Sequence, residues 1–139
     1  MENWPEMRCL IDTNIFLEVI LEQEKSRESL DFLSKTNVFE FFVTDYTLHS
    51  IGALLVRRRL HEVFQQFLSD MLLDSEIEVI SVLAEEMPEL IKAAKKFNLD
   101  FDDAYQYLAA RKYDLILVSF DADFDRTDRG RKMPSQVLK

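Results

Sequence analysis

The amino-acid sequence predicts an α/β domain with a parallel sheet. Short apolar runs of strand length alternate with amphipathic helical stretches along the chain. Two of these runs, residues 41–44 and 115–120, are almost continuously apolar, as strands are when helices cover both faces of a sheet. Glycine and proline are scarce, at 2 and 3 residues, which disfavours a turn-dense all-β fold.

Residues 8–11, Arg-Cys-Leu-Ile, read as the first strand, which stops on Asp12. Ile15, Phe16, Val19 and Ile20 then share one helical stripe, and Leu30 and Leu33 mark a second short helix. Residues 41–44 form the next strand. Ile51, Leu54 and Leu55, then Val63, Phe64, Phe67, Leu68 and Met71, predict one or two long helices. A third strand falls at residues 77–81. Met87, Leu90, Ile91, Ala94 and Phe97 form a helical stripe, with Pro88 in the first turn, where a helix tolerates it. A last helix runs through Ala104 and Leu108 to Tyr113, and residues 115–120 supply the fourth strand. No repeat, low-complexity tract or Gly/Ser/Pro-rich linker divides the chain. One domain over residues 1–139 is expected, with a basic C-terminal tail from about residue 125 to 139.

Composition excludes several classes. At 47% hydrophobic and 12% aromatic, the 139 residues are too apolar for disorder. Cys9 is the only cysteine, which rules out an internal disulfide and a zinc site built on several thiolates, and fits a reducing, cytoplasmic setting. No apolar run reaches the ~20 residues that a membrane span needs. The N-terminus has no apolar run behind a basic start, so no signal peptide is expected. The net charge of -9 disfavours a passive nucleic-acid-binding module. It is compatible with an enzyme that holds cations in an acidic pocket, because the cations reverse the local field.

The placement of the acids gives that pocket a location. Parallel sheets form their sites at the carboxyl ends of the strands. Asp12 ends the first strand, Asp121 and Asp123 follow the fourth, and Asp102 and Asp103 open the helix before it. Carboxylates gathered at one edge repel and raise one another's pKa, so the arrangement asks for a divalent cation. Oxygen ligands without thiolates select a hard ion, Mg²⁺ or Mn²⁺, and such ions support phosphodiester displacement. No activated Ser or Cys and no Gly-rich phosphate loop is present. Each acid also has an ordinary structural reading. Asp12 or Asn14 caps a helix, Asp100 and Asp103 sit like a capping pair, and residues 121–125 make a polar turn. Only their coincidence at one edge favours a site.

The stretches "LIDTNIFLEVI" and "DDAYQYLAARKYDLILVSFDADF", in this order and spacing, resemble PIN domains. The resemblance runs from Arg8 to about Phe124. It implies a three-layer α/β/α sandwich around a central, mostly parallel sheet. It also implies Mg²⁺- or Mn²⁺-dependent ribonuclease activity, often in toxins of the VapC type paired with a small antitoxin, and often as homodimers. By position, Asp12, Asp103 and Asp121 are then the catalytic and metal-binding acids, with Asp123 as an auxiliary ligand. Asn14 and Ser119 support the first acid or the metal water. The family's usual glutamate after the second strand is replaced by Ser50 in "TDYTLHSIGALL". A serine brings no negative charge, so the hold on a cation weakens. His49 beside it is a candidate acid for the scissile phosphate or a structural helical residue. Asp45 reads as a helix cap, and Asp102 would offset the missing charge only by turning inward beside Asp103.

Arg57, Arg58 and Arg59 are expected RNA contacts beside the site or a solvated face. Arg126, Arg129, Arg131 and Lys132 guide RNA, bind an acidic partner, or belong to a loose tail. Met71, Leu72 and Leu73 are core, or a dimer contact. The resulting expectation is a metal-dependent endoribonuclease, with the toxin of a toxin–antitoxin pair as a candidate role. The alternative is a degenerate relative that binds RNA or protein without cleaving.

Overall fold

The side-chain alternation of the first strand, β1 (Met7–Ile11), sets the layering of the fold. In the computed structural model, which describes residues 7–73 and 76–138, β1 lies between two parallel neighbours. Cys9 stands opposite Phe41 and Ile116, and Leu10 opposite Phe42 and Leu117. The other strands are β2 (Phe39–Thr44), β3 (Glu78–Ile80) and β4 (Ile116–Val118). All pairs are parallel, in the order β3-β2-β1-β4. The expected strands are therefore present, with β2 starting two residues earlier, at Phe39, and β3 and β4 shorter than their apolar runs.

Leu10, Phe42, Ile80 and Leu117 face one helical layer, α5 (Met87–Phe97) and α6 (Phe101–Tyr113). Cys9, Ile11, Phe41, Val43 and Val118 face the other. That layer holds α1 (Thr13–Ile20), α2 (Ser26–Leu33), α3 (Asp45–Arg57), α4 (His61–Leu68) and the short α7 (Pro134–Val137). The result is the three-layer α/β/α sandwich. Every residue from Ala104 to Ala110 of α6 is buried, with alanines at three of those positions to bring the helix close to the sheet. Fully buried side chains such as Phe16, Phe32 and Phe124 each contribute roughly 1.5–3 kcal/mol of transfer free energy.

The long stretch after β2 folds as two helices. The chain breaks at Arg58–Leu60, where Arg59 takes a left-handed φ of 59°. Gly52 allows α4 to fold back onto α3, because a Cβ there would lie 2.9 Å from Cζ of Phe64. Met71 and Leu72 pack on the α3–α4 side of the core, and Leu73 stays open to solvent. α5 and α6 end on Asn98 and Asp114, both at φ 55°, residue types that tolerate this conformation.

The C-terminal segment is docked along β4. Lys132 bridges to Val118, its N–H donating to Leu117 O (2.9 Å) and its carbonyl accepting from Ser119 N (3.0 Å). Arg129 pairs with Asp114 and Arg131 with Asp125, while Val137 enters the core. The segment is not a loose tail, because the Lys132 bridge and the buried Val137 hold it on the fold. Cys9 is fully buried in β1, and burial pushes its thiol up to about 12. Among the described residues no helix is long and apolar enough to cross a membrane.

Candidate active site: an acidic pocket at the carboxyl edge of the sheet

Asp12 serves as helix cap and pocket residue at once. Its backbone N–H donates to Val118 O (3.0 Å), which extends the ladder one residue beyond β1. Its Oδ1 accepts from Thr13 N (2.9 Å), capping α1, and from Gln106 Nε2 (2.9 Å). Its Oδ2 accepts from Ser119 Oγ (2.6 Å). These bonds lock the carboxylate in one orientation. Burial raises its pKa, and the bonds from Gln106, Ser119 and Thr13 oppose that rise.

Behind Asp12 lies a closed polar network. Gln106 Nε2 donates also to Thr47 Oγ1 (3.0 Å), and its Oε1 accepts from Thr44 Oγ1 (2.7 Å). Both amide hydrogens are thereby used, and the side chain has one consistent orientation. Thr44 accepts from Thr47 N (3.1 Å) and is the true cap of α3. This corrects the assignment of that role to Asp45. Asp45 instead accepts from Tyr46 N (2.9 Å) and from the Tyr105 hydroxyl (2.6 Å). Asp100 occupies the N-cap position of α6 without a side-chain cap bond, so the expected capping pair with Asp103 does not form.

Ser119 ties the two strand ends together. Its hydroxyl donates to Asp12 and accepts from Asp121 N (2.9 Å) and Asn14 Nδ2 (3.3 Å). Asn14 Oδ1 accepts from Phe120 N (3.3 Å). Asp121 in turn accepts from Asp123 N (2.9 Å), closing the 3-10 turn at Ala122–Arg126.

A pocket of about 300 Å³ opens at this edge. Asp12, Asp102, Asp103 and Asp121 border it, with Ser50 and Tyr46 on the α3 side. One carboxylate oxygen each from Asp103, Asp121 and Asp123 lies within 4.8 Å of the others. Asp12 borders the pocket but stands outside this trio. Asp103 is pushed up to about 7, first by burial, then by the charges of Asp121, Asp102 and Asp12. A protonated Asp103 also donates to Asp121. Hard oxygen donors that repel one another to this degree suit a divalent cation, so the residues fit Mg²⁺ or Mn²⁺.

The remaining sequence candidates separate clearly. Asp102 does border the pocket alongside Asp103. His49 is exposed and lies outside it, because α3 turns that position to solvent. Arg57, Arg58 and Arg59 are exposed at the far end of α3, roughly 16 Å along the axis from Tyr46, and not beside the acids. Arg129 is held at the opposite end of β4 by Asp114 and Leu115 O. Arg126 reaches the cluster, donating to Asp123 Oδ1 (3.3 Å), Phe97 O (3.1 Å) and Asn98 O (2.7 Å). Gln106 was missed. The signal for it is its spacing, three residues after Asp103 on the same helical face.

A model of the PIN domain family matches residues 9–130. Among solved structures, a toxin–antitoxin complex from Klebsiella pneumoniae is 16% identical with a TM-score of 0.70, covering 91% of this chain and 97% of its own. VapC20 of Mycobacterium tuberculosis, described as a sarcin-ricin loop cleaving toxin, is 17% identical with a TM-score of 0.71, covering 84% and 92%. VapBC2 of Rickettsia felis, bound to a promoter DNA fragment, is 18% identical with a TM-score of 0.66, covering 91% and 97%. At these identities the likeness establishes the fold. No curated protein sequence matches the chain.

Proposed function

The chain belongs to the PIN domain family, and on that premise we propose that its acidic pocket hydrolyses RNA phosphodiesters with Mg²⁺ or Mn²⁺. One observation carries this reading: the convergence of Asp103, Asp121 and Asp123 from two separate segments, with Asp12 bordering the same pocket as Asp103 and Asp121. Asp12, Asp103 and Asp121 would hold the ion, with Asp123 as a further ligand. When bound, the ion supplies neutralisation of the phosphate and Lewis-acid activation of water. The protein's own part is orientation. Ser119, Gln106 and the Thr13 amide hold Asp12 in place, so its oxygens need no reordering on binding. Ser119 also holds Asp121 through its amide, keeping the first and last acids at a fixed separation. In the hydrolysis, the oxygen of water joins phosphorus, the P–O bond to the leaving nucleoside breaks, and a proton passes to the leaving oxygen.

The setting we propose is a cytoplasmic toxin with a small antitoxin partner, supported by the toxin–antitoxin composition of the structural neighbours. The PIN resemblance also implies a homodimer, which light scattering tests. The test of the activity is incubation of the pure protein with single-stranded RNA and Mn²⁺, beside Asp12→Asn. Cleavage by the wild type and not by the variant is expected. Equal cleavage by both removes the mechanism.

A second reading is favoured by one residue. Ser50 borders the pocket where the family resemblance calls for a glutamate. A binding module without turnover follows if that loss leaves the pocket too weak for a cation. Calorimetric titration separates the readings, because a binding module takes up little Mn²⁺.

A further inference from the structure

Phe101 opens α6 directly before Asp102 and Asp103, and it is 54% exposed. Among the described residues no other Phe or Tyr is exposed; the rest are buried or half-buried. Its ring lies 6.0 Å from that of Tyr105, which lies 5.8 Å from that of Tyr46. Tyr46 borders the acidic pocket together with Ser50, Asp102 and Asp103. The three rings form an aromatic strip from open solvent to the pocket wall. Its middle member is fixed, since the Tyr105 hydroxyl donates to Asp45 (2.6 Å) and accepts from Val82 N (2.9 Å).

Local structure does not require this exposed ring. The first turn of α6 is capped by no side chain, and Leu99 already supplies the buried apolar contact before it. Charge explains what the strip offers. The protein carries -9, and the arginines named in the sequence either pair with acids or lie away from the pocket. Among the described residues, none that borders the pocket is an Arg or Lys. An aromatic face binds a base without using charge, and it accepts every base because each has a π-face. A base stacked here must be unpaired, since a base in a duplex is covered by its neighbours.

We propose that Phe101, backed by Tyr105 and Tyr46, is a stacking subsite for an unpaired nucleobase of single-stranded RNA, next to the phosphate at the acidic pocket. This rests on the nuclease reading above. It specifies the substrate as single-stranded at the cut, with little preference for one base at this position.

The test uses the full chain and hexaribonucleotides carrying 2-aminopurine at each position in turn. Ca²⁺ replaces Mg²⁺, because it fills oxygen sites and is a poor Lewis acid. Quenching of 2-aminopurine at one position is expected on binding. Phe101→Ala should abolish that quenching and weaken binding roughly tenfold, as the loss of one stacked base does. Phe101→Trp should keep both. RNA abasic at that position should bind wild type and Phe101→Ala alike. The subsite is overturned if no position is quenched by the wild type, if Phe101→Ala binds as tightly, or if abasic RNA binds the wild type as tightly as intact RNA. The two proposals fail separately. Asp12-dependent cleavage without quenching removes the subsite alone. Quenching without Asp12-dependent cleavage removes the nuclease alone.

Discussion

Asp103→Asn should stabilise the metal-free protein at pH 8. An ordinary aspartate ionises near 3.8, and Asp103 in the fold is pushed up to about 7 by burial and by neighbouring acids. Between those values the folded protein binds a proton that the unfolded chain has released. Stability therefore falls as pH rises from about 4 to about 7, and the cost is complete above that. Unscreened, the gap corresponds to roughly 4 kcal/mol. The carboxyl is partly open to water, and screening reduces this to about 1–2 kcal/mol. Asparagine mimics the protonated acid and removes the cost. For a chain of 139 residues this amounts to a rise in Tm of about 3–7 °C. The assay is thermal melting of both proteins in EDTA from pH 4.5 to pH 8, repeated with Mn²⁺. The variant's advantage should shrink towards pH 4.5. Mn²⁺ at pH 8 should raise the wild type more than the variant, because the ion relieves the repulsion that asparagine no longer has. A variant that melts at or below the wild type at pH 8 in EDTA, or an offset independent of pH, refutes the electrostatic account.

Two further perturbations probe the same edge. Gln106→Leu keeps the volume but removes the donors to Asp12 and Thr47, and should cost about 2–3 kcal/mol, read as a lowered urea midpoint in EDTA; an unchanged midpoint would show that the network contributes nothing. Ser50→Glu places another carboxylate at the pocket wall. It should lower Tm in EDTA and tighten Mn²⁺ binding by calorimetry, and weaker binding would mean that the side chain points away from the acids.

The sheet and its acids were legible because both rest on local pattern. An apolar run that ends on a carboxylate, as at Ile11–Asp12, marks a strand and its carboxyl end together. The same holds for Asp121 after β4 and for the helical stripes of α1, α5 and α6. What the sequence hid depends on distance through space. Arg57, Arg58 and Arg59 sit on the helix that starts at the pocket, but a helix of 13 residues carries them away from it. For the C-terminal arginines, RNA guidance, an acidic partner and a loose tail stayed equally open, because Asp114 becomes the partner of Arg129 only after the chain folds along β4. Thr44 displaced Asp45 as the cap because β2 ends one residue earlier than the acid, and a cap is defined by that boundary. Gln106 carries no charge, so nothing in composition singles it out. Its importance comes from the buried oxygens of Asp12, Thr44 and Thr47 that surround it. Ser50, placed by the family resemblance, borders the pocket, whereas His49, one residue earlier on α3, is turned outward.

The lone thiol of Cys9, held between Phe41 and Ile116 in the middle of the sheet, gives the molecule a built-in clock. Only a thiolate reacts with alkylating agents, and here both access and ionisation are closed while the strands stay together. The rate of labelling then counts how often the central strand comes free of its neighbours. Native molecules should also store without cross-linking in air, and any covalent pair that accumulates records chains that had already opened.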